Sequence, residues 1–435
     1  MTTEILKLEP ERTEDDLSSL YSTVSDVLKD IKKEGDRAVS KYTLKFDKLQ
    51  LEKFLLSKDE IENKIKNLNP KTKDLIDENI TRITKFARFQ LSMYRDMQIE
   101  VDGNETVLGQ KIVPISSAGI YVPAGRFPLL SSALMGIIPA KVAGVKRIVA
   151  MTPPGENRPD IGVLYGIYKA GATEVYTIGG IQAIGALAYG TETIKPVDKI
   201  FGPGNKYVNE AKRQVFGEVG IDLLAGPSEV LIIADETANI DLVAYDLLAQ
   251  AEHDIAARSC LVTTSREMAL KLKNEMPKYI ETLATREILR VSWKEKGSII
   301  YCNNFDEALE YANNYAPEHL ELHVSIKHRE EAFEKLDNFG SLFMNQNTPV
   351  VFSDKLIGTN HTLPTNRASR YTGGLNVGAF LKVLTFQEVL GEVALKELSR
   401  RAFEQSKLEG LSGHAKSAEL RAKLFKDIRI NSGEE

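Results

Sequence analysis

Cysteine and histidine, two residues on which much protein chemistry depends, are scarce in this chain of 435 residues. It has two cysteines, Cys260 and Cys302, and six histidines. Two cysteines are too few for a disulfide framework or for a structural zinc site built on thiolates. We therefore expect a reducing compartment, the cytoplasm. Any metal site in the protein must draw on some of the six histidines.

The chain also lacks an excess of positive charge and a long hydrophobic run. Its 56 basic and 61 acidic side chains give a formal net charge of −5, which argues against a nucleic-acid-binding protein. Its longest uncharged stretch, Phe127 to Ala140, is interrupted by Pro128 and Pro139. We therefore expect neither a signal peptide nor a membrane-spanning segment. The length and the 43% hydrophobic content predict a globular protein of two or three domains.

What the sequence does contain is a regular alternation of short apolar runs with helical stretches. The first series of runs is GIYV, RIVAM, EVYTIG and DKIFG, beginning at residues 119, 147, 174 and 198. The second is EVLIIAD, CLVTTS, GSIIYC, HLELHV and GSLFMN, beginning at residues 229, 260, 297, 319 and 340. Strands at this spacing with helices between them predict right-handed βαβ units and parallel sheets. We expect two related α/β domains with a cleft where their strand ends face each other.

The two ends of the chain read as helical instead. Ser57 to Glu60 matches a capping box, and Pro70 opens an amphipathic run that reaches about Met93. The tail after about Phe380 also has a helical pattern. We divide the chain into residues 1–108, a helical region packing on the second α/β domain; 109–225 and 226–378, the two α/β domains; and 379–435, a helical C-terminal segment.

Glycine-rich corners follow two of the predicted strands. GPGNKY, from Gly202 to Tyr207, begins like a dinucleotide fingerprint, but a tyrosine stands where the third glycine belongs. Its glycines and Asn205 could seat an anion on free amides at a helix start, or they could simply form a tight turn. Gly179 and Gln182 lie in a similar corner. GxxxxGK[ST] does not occur, which argues against a P-loop kinase or ATPase.

A helix predicted from Asn239 to Asp254 carries polar residues on one face. Asp246, Gln250 and His253 lie at positions i, i+4 and i+7, so that Gln250 and His253 project side by side. An imidazole and an amide oxygen so placed can be neighbouring ligands of a borderline cation. A solvated polar stripe would have the same spacing.

Three further segments hold candidate functional groups. Glu318 and His319 lie where a helix gives way to a strand, so an acid and an imidazole can face one cleft if Glu318 is still in the loop. A buried histidine beside a helix-terminal glutamate would look the same. The polar loop from Ser353 to Thr365 contains Asp354 and His361, and EGLSGHA near the C-terminus contains Glu409 and His414. A histidine at such a helix start can be a ligand or a residue of the first turn.

Taken together, QAEH, APEH, GTNHTLPT and EGLSGHA, in that order, resemble the histidinol dehydrogenase family. The resemblance covers nearly the whole chain and includes GIYVPAG, PAKVAGV, GGIQAIGALAYGTETI, VDKIFGPGN, EAKRQVFG and AGPSEV. It implies two incomplete Rossmann-like α/β domains with helical extensions in an intertwined homodimer. It also implies zinc-dependent oxidation of a primary alcohol to a carboxylate with two successive NAD molecules.

The resemblance further implies a role for each matched residue. The zinc ligands would be Gln250, His253, Asp354 and His414, with His414 and Glu409 supplied by the partner subunit. His319 would be the general base, and Glu318 would activate the water that hydrates the aldehyde. NAD would contact Tyr121, Gln182 and Asn205. Substrate would contact Ser228, Gln250, His253, His319, Asp354, His361, Glu409 and His414.

Some residues depart from the usual pattern of the family. Arg126-Phe127-Pro128 follows the YVPAG turn, and RASRYTGGLNVGAFLK, with Arg367 and Arg370, follows the LPT motif. These segments resemble the branch that includes sulfopropanediol 3-dehydrogenase, so the three arginines could hold a sulfonate, or they could be surface residues. We expect oxidation of L-histidinol to L-histidine, with 2,3-dihydroxypropane-1-sulfonate as the alternative substrate.

Two other classes predict different features. A non-catalytic member of the same fold would lack Glu318, His319 or a metal ligand, and the sequence retains them all. An ordinary dehydrogenase with one hydride step would have no use for Glu318 as a water activator. Counting the reduced cofactors formed per substrate distinguishes the second class from the two-step enzyme.

Overall fold

The computed structural model describes residues 4–7, 17–123, 130–155 and 159–431. The chain divides into two compact units. The first unit is Met1–Leu91 with Ile115–Phe380, and the second is Ser92–Pro114 with Leu381–Glu435. Within the described ranges, no helix combines the length and the apolar character needed to cross a membrane.

Helices and strands alternate along most of the described chain. As far as Ile221 they are β1 (Glu4–Lys7), α1 (Ser18–Glu34), α2 (Asp36–Asp47), α3 (Lys58–Ile65), α4 (Pro70–Leu91), β2 (Met97–Val101), β3 (Thr106–Pro114), β4 (Ser117–Tyr121), α5 (Leu130–Ala143), β5 (Arg147–Met151), α6 (Ile161–Ala170), β6 (Glu174–Tyr176), α7 (Gly180–Tyr189), β7 (Lys199–Phe201), α8 (Lys206–Val215) and β8 (Gly220–Ile221). They continue with β9 (Glu229–Ala234), α9 (Ile240–Ala251), β10 (Arg258–Thr263), α10 (Arg266–Glu281), α11 (Arg286–Lys296), β11 (Gly297–Tyr301), α12 (Phe305–Tyr315), β12 (His319–His323), α13 (Ile326–Lys335), β13 (Ser341–Phe343), α14 (Val350–Lys355), β14 (Leu381–Val389), α15 (Glu392–Leu408) and α16 (Ser412–Asn431).

Two sheets form the centre of the first unit. The first sheet has the strand order β6-β5-β4-β7-β8, and all its pairs are parallel. The second has the order β1-β11-β10-β9-β12-β13, and only β1 is antiparallel to its neighbour. The predicted pair of parallel-sheet α/β layers is confirmed. In each sheet the strand order reverses beside its first α/β strand, β4 or β9, as in doubly wound folds.

The N-terminal helices begin as the sequence predicts. The Ser57 hydroxyl accepts a hydrogen bond from the Glu60 backbone N–H, and the Glu60 carboxylate accepts one from the Ser57 N–H at 2.7 Å. This capping box satisfies two backbone donors at the start of α3. Helix α4 begins at Pro70, whose missing N–H costs nothing at the first helical position.

We had expected the N-terminal region to pack on the second α/β domain, but its helices α1 to α3 pack against the first α/β layer. Val24 and Ile31 of α1 share one buried core with Ile184 and Leu187 of α7. Every residue of α7 from Ile181 to Ala188 is buried, so that helix needs apolar cover on the side that faces away from its sheet. Helix α1 supplies this cover. In the described part of the N-terminal region, β1 is the strand that joins the second sheet.

The second unit contains a strand that the sequence reading missed. Residues 381–389, expected to be helical, form β14, which pairs along its whole length with β3 in the antiparallel sheet β14-β3-β2. Strand β2 likewise lies in the N-terminal region that we predicted to be helical. Strand β14 depends on a partner that is distant in the chain, whereas β2 pairs with β3 across a short turn. Helices α15 and α16 complete the unit.

Candidate active site

A cavity of about 160 Å³ lies in the first unit, at the amino edge of the second sheet. It brings together residues from segments far apart in sequence. The predicted site residues that line it are Ser228, Gln250, His253, Glu318, His319, Asp354 and His361. This cavity is the candidate active site.

Gln250 and His253 reach the cavity from the C-terminal end of α9. The helix begins at its N-cap Asn239, whose side chain accepts hydrogen bonds from two backbone N–H groups, and it ends at Ala251, so His253 lies just beyond it. Gln250 is buried, and its Oε1 has no hydrogen-bond partner among the described residues. Burying an amide oxygen without a hydrogen-bond partner costs free energy unless a ligand contacts that oxygen.

The imidazole of His253 is held in its neutral form. Burial lowers the pKa of His253, the carboxylate of Asp354 opposes that effect, and the positive charge of Lys355 adds to it. A neutral imidazole keeps the lone pair that a metal ion requires.

Glu318 and His319 share a single backbone anchor at Glu229. The Nδ1 atom of His319 is 2.9 Å from the carbonyl oxygen of Glu229, and the Oε2 atom of Glu318 accepts the Glu229 N–H at 2.8 Å. Strand β12 begins at His319, so Glu318 is still in the loop and both side chains line the cavity. In the neutral imidazole the carbonyl fixes the proton on Nδ1 and leaves the lone pair on Nε2, an atom that has no partner among the described residues.

The surroundings of His319 make it a strong base in the metal-free protein. Burial lowers the pKa of His319, but the carboxylates of Glu318 and Asp354 outweigh burial and raise it to about 9. Glu318 Oε2 is 3.5 Å from Nδ1. A bound divalent cation would act in the opposite direction and lower this pKa.

Asp354 presents an ionised carboxylate to the cavity. It lies in α14, where we had expected irregular backbone, and its Oδ1 atom is 2.9 Å from Nδ1 of His361. Burial alone would raise the pKa of Asp354, but the hydrogen bond and charge of His361, with the charge of His319, hold it well below its usual range. The cavity therefore offers a carboxylate beside two imidazoles and an amide.

Other lining residues escaped sequence reasoning. Ser131 and Ser132, in the first turn of α5, and Lys355, at the end of α14, also line the cavity. An adjoining cavity of about 420 Å³ shares Ser131, Asp354 and Lys355 with it. The start of the helix after the first strand of a doubly wound sheet was the available signal for the two serines.

The three residues predicted to contact NAD lie at the carboxyl edge of the first sheet, but each is engaged within the chain. The Tyr121 hydroxyl accepts the Gly180 N–H at 3.2 Å, and burial raises the pKa of Tyr121 to about 12. Gln182 is fully buried and donates from Nε2 to Asp47 at 3.0 Å, while its Oε1 has no partner among the described residues. Asn205 is exposed and caps α8.

The GPGN corner before α8 is a tight turn for a steric reason. Gly202 has φ +117°, and a Cβ there would lie 2.2 Å from the carbonyl oxygen of Tyr121. Only glycine fits at that position. Its close approach to β4 explains this glycine without a ligand, whereas the helix start beyond it still offers free N–H groups.

Two predicted residues belong to the second unit. Glu409 follows the last residue of α15, and its Oε1 accepts a hydrogen bond from Gln405 at 2.9 Å. His414 lies in the first turn of α16, and both side chains are exposed. Within this unit, His414 lines a cavity of about 580 Å³ with apolar residues of α15.

Of the three arginines considered for an anion site, the two that the structure describes do not line the cavity. Arg126 lies outside the described residues. Arg367 is exposed, with φ +65°, and its carbonyl accepts a hydrogen bond from Nε of exposed Arg370 at 3.1 Å. Neither Arg367 nor Arg370 is among the residues that line the cavity.

A second polar cluster, which we call the buried triad, consists of Asp246, Glu321 and His323. Their ligand-type atoms lie within 4.8 Å of one another, an arrangement that can hold a metal ion. It differs from the predicted zinc ligand set. Period-two alternation in HLELH places His319, Glu321 and His323 on one face of β12, so part of the cluster was visible in the sequence. Its meeting with Asp246 of α9 was not.

The chain is similar to proteins of one family over almost its entire length. Residues 10–422 match the family model described as histidinol dehydrogenase. The histidinol dehydrogenase of Methanocaldococcus jannaschii is 42% identical over 415 residues, 95% of each protein. A histidinol dehydrogenase homolog of Shouchella clausii is 42% identical over 411 residues, 94% of this chain and 96% of the relative. The crystal structure of histidinol dehydrogenase from Elizabethkingia anophelis matches with a TM-score of 0.88 at 35% identity, covering 96% of this chain and 95% of that one.

Proposed function

This chain belongs to the histidinol dehydrogenase family, and we propose that it oxidises a primary alcohol through an aldehyde to a carboxylate with zinc and two NAD molecules. L-histidinol, giving L-histidine, is the first candidate substrate. The observation that carries the proposal is the cavity in which Gln250 Oε1 and His319 Nε2 are buried beside His253 and Asp354 and have no hydrogen-bond partner among the described residues.

The chemistry of the cavity fits zinc. Gln250 offers an unpaired amide oxygen, His253 a neutral imidazole and Asp354 an ionised carboxylate. Nitrogen and oxygen donors of this kind suit a borderline cation, and His414 of a second subunit would add another imidazole. Bound zinc would supply orientation and polarisation of a substrate oxygen.

In the first oxidation, His319 acts as the general base. Its Nδ1–H is fixed on the Glu229 carbonyl, so Nε2 takes the proton of the substrate hydroxyl as hydride leaves the carbon for NAD. The C–H bond supplies the electron pair, the O–H bond supplies the proton, and an aldehyde results.

In the second oxidation, Glu318 assists the addition of water. The backbone contact with Glu229 uses one carboxylate oxygen of Glu318, and the carboxylate takes a proton from water as its oxygen adds to the aldehyde carbon. His319 gives its proton from the first step to the aldehyde oxygen, which completes the hydrate, and then accepts a hydroxyl proton of the hydrate while hydride leaves for the second NAD. The product is the carboxylate.

The proposed NAD contacts are Tyr121, Gln182 and Asn205. All three lie at the carboxyl edge of the first sheet, the position where doubly wound folds bind nucleotides. The unpartnered Oε1 of buried Gln182 supports a ligand contact there. The incomplete glycine fingerprint suits a cosubstrate that is exchanged between the two steps.

We also propose a cytoplasmic homodimer in which Glu409 and His414 of one subunit complete the site of the other. The second unit exposes many large apolar side chains, a feature of surfaces that meet a partner. On β14, α15 and the turn after it, they are Val383, Leu384, Phe386, Val389, Leu390, Val393, Leu398, Leu408 and Leu411.

One observation favours the alternative substrate. Lys355 lines the cavity and forms no ion pair among the described residues, and Ser131 and Ser132 line the same cavity without a described hydrogen bond. A cation beside two hydroxyls suits an anionic group such as the sulfonate of 2,3-dihydroxypropane-1-sulfonate. Relatives named histidinol dehydrogenase and histidinol dehydrogenase homolog are both 42% identical to this chain, so identity favours neither substrate.

The test is NAD reduction by zinc-loaded enzyme with L-histidinol and, in parallel, with 2,3-dihydroxypropane-1-sulfonate. The proposal predicts two reduced cofactors per substrate consumed and a carboxylate product with one of them. Release of an aldehyde after a single reduction would contradict it. A Lys355→Met variant that loses activity only toward the sulfonate would assign the alternative substrate.

A further inference from the structure

The buried triad is held by short polar contacts inside the protein. The Nε2 atom of His323 is 3.2 Å from Oε2 of Glu321 and 3.4 Å from Oδ2 of Asp246. The side chains of His323 and Glu321 are each 1% exposed, and that of Asp246 is 15% exposed. Groups so buried interact strongly because little water screens them.

The triad joins the three elements that carry the residues of the candidate active site. Asp246 lies one turn before Gln250 on α9. The Oε1 atom of Glu321 accepts the backbone N–H of Val350, the first residue of α14, at 2.7 Å, and Asp354 lies one turn later on that helix.

The third element is β12 itself. Residues 319, 321 and 323 alternate onto one face of this strand. A displacement of α9 or α14 along that face would change how Gln250 and Asp354 meet His319.

We propose that the buried triad is a positioning cluster, which fixes α9 and α14 against β12 and so sets the spacing of Gln250, His253 and Asp354 around His319. This inference rests on the proposed function, because it assumes that these residues hold zinc. Partners that orient metal ligands typically affect metal affinity or activity by about 10-fold to 100-fold when removed.

Protonation can satisfy the polar groups of the buried triad without a metal ion. Burial and the nearby Glu321 carboxylate raise the pKa of Asp246 well above its usual range. A protonated Asp246 can donate to the Glu321 carboxylate, which also accepts from Val350. With Asp246 protonated, the contacts of His323 Nε2 with Glu321 at 3.2 Å and with Asp246 at 3.4 Å are polar contacts between side chains. The cluster then needs no metal ion.

The control lies in the same domain. His328 pairs with Asp235 at 2.9 Å, and this pair joins α13 to the carboxyl end of β9, away from the amino edge that forms the cavity. Asp235 is fully buried, and it also accepts the Ser325 N–H at 2.8 Å. His328→Leu therefore breaks a histidine–carboxylate contact that contains no proposed zinc ligand and no side chain of the buried triad, although the Asp235 N–H donates to the His323 carbonyl at 3.2 Å.

The experiment measures zinc affinity of the metal-free full-length protein by competition with a chromophoric chelator, and kcat and KM of the zinc-loaded enzyme. We expect His323→Leu and Asp246→Asn to weaken zinc binding by about 10-fold to 100-fold and to lower kcat. His323→Gln, which keeps a donor of similar reach, should recover most of the affinity. His328→Leu should bind zinc within about threefold of wild type, even where it lowers the free energy of unfolding as much.

The outcomes separate the two proposals. If wild type binds one zinc and reduces two NAD per substrate while His323→Leu and Asp246→Asn match the control, the positioning role is wrong and the proposed function stands. If wild type binds no zinc, both are wrong. Two zinc ions per wild-type subunit, one of them lost in His323→Leu, would make the triad a metal site and overturn the positioning role. If His323→Leu does not fold, Asp246→Asn and His323→Gln decide the question on the same readouts.

Discussion

The two sheet edges that carry the proposed site are prepared for ligands in different ways. At the amino edge of the second sheet, Gln250 Oε1 and His319 Nε2 are buried and have no partners in the described part of the chain. At the carboxyl edge of the first sheet, Tyr121 and Asn205 are engaged by the chain's own backbone N–H groups. The amino edge of the second sheet therefore needs a ligand to satisfy its polar atoms. At the carboxyl edge of the first sheet, most of the polar groups are satisfied within the chain. This difference matches a resident metal on one side and an exchangeable cosubstrate on the other.

The largest effect is expected from substitution of His319, the proposed general base at the amino edge of the second sheet. His319→Ala should lower kcat by about 10³-fold to 10⁴-fold for both alcohol and aldehyde, because both oxidations need the same proton acceptor. Glu318→Gln should impair mainly the aldehyde step. The rates are measured as NAD reduction from the alcohol and from the aldehyde separately. Wild-type aldehyde oxidation by Glu318→Gln would exclude its role as water activator.

A smaller effect is expected from substitution of Asp354 at the proposed zinc site. Asp354→Asn removes the charge of the one carboxylate in the proposed ligand set and leaves His361 without its ionic partner. We expect at least about a 10-fold to 100-fold loss of zinc affinity, with activity partly restored by excess zinc. Metal content after dialysis provides the measurement, and Asp235→Asn is the matched buried control. Equal zinc retention in both variants would remove Asp354 from the ligand set.

A still smaller effect is expected at the carboxyl edge of the first sheet, where the change should affect NAD binding and leave zinc binding unaltered. Gln182→Ala removes an unpartnered amide oxygen and the contact with Asp47. We expect KM for NAD to rise by about tenfold, corresponding to about 1.4 kcal/mol, with zinc content unchanged. Initial rates at varied NAD concentration test this. A loss of zinc in this variant would break the contrast between the two edges.

The smallest effect concerns the stability of the metal-free protein. The folded-state pKa of His319, about 9, lies above its ordinary value of 6.5. Its protonation therefore stabilises the fold fully below pH 6.5, and this contribution is lost as the pH rises through 9. We expect a loss of stability in urea unfolding between these limits, and a smaller loss in His319→Asn. A pH dependence that is identical in the two proteins would contradict the assigned titration.

Local sequence patterns predicted most of the first unit but not the partners of its helices. Nine of the ten strands from β4 to β13 follow from short apolar runs, whereas the two-residue strand β8, which is only half-buried, was missed. Helix α1 shows an apolar face in its sequence, but nothing in that face indicates that α7 covers it. Strand β14 was missed because its partner β3 lies far away in the chain.

The site was predictable to a different extent. Motif resemblance placed Gln250, His253, Glu318, His319 and Asp354, all of which line one cavity. It did not indicate the buried triad, because the contact between α9 and β12 depends on packing. Likewise, Ser131 and Lys355 carry no motif and become visible only when the cavity is formed.

The number of reduced cofactors formed per molecule of substrate tests the central claim most directly. Zinc-loaded enzyme is given a limiting amount of alcohol and excess NAD, and the products are identified when absorbance stops rising. The proposed base, the proposed water-activating carboxylate and the proposed zinc site in one cavity predict two reduced cofactors and a carboxylate. One reduced cofactor with accumulated aldehyde would contradict that account.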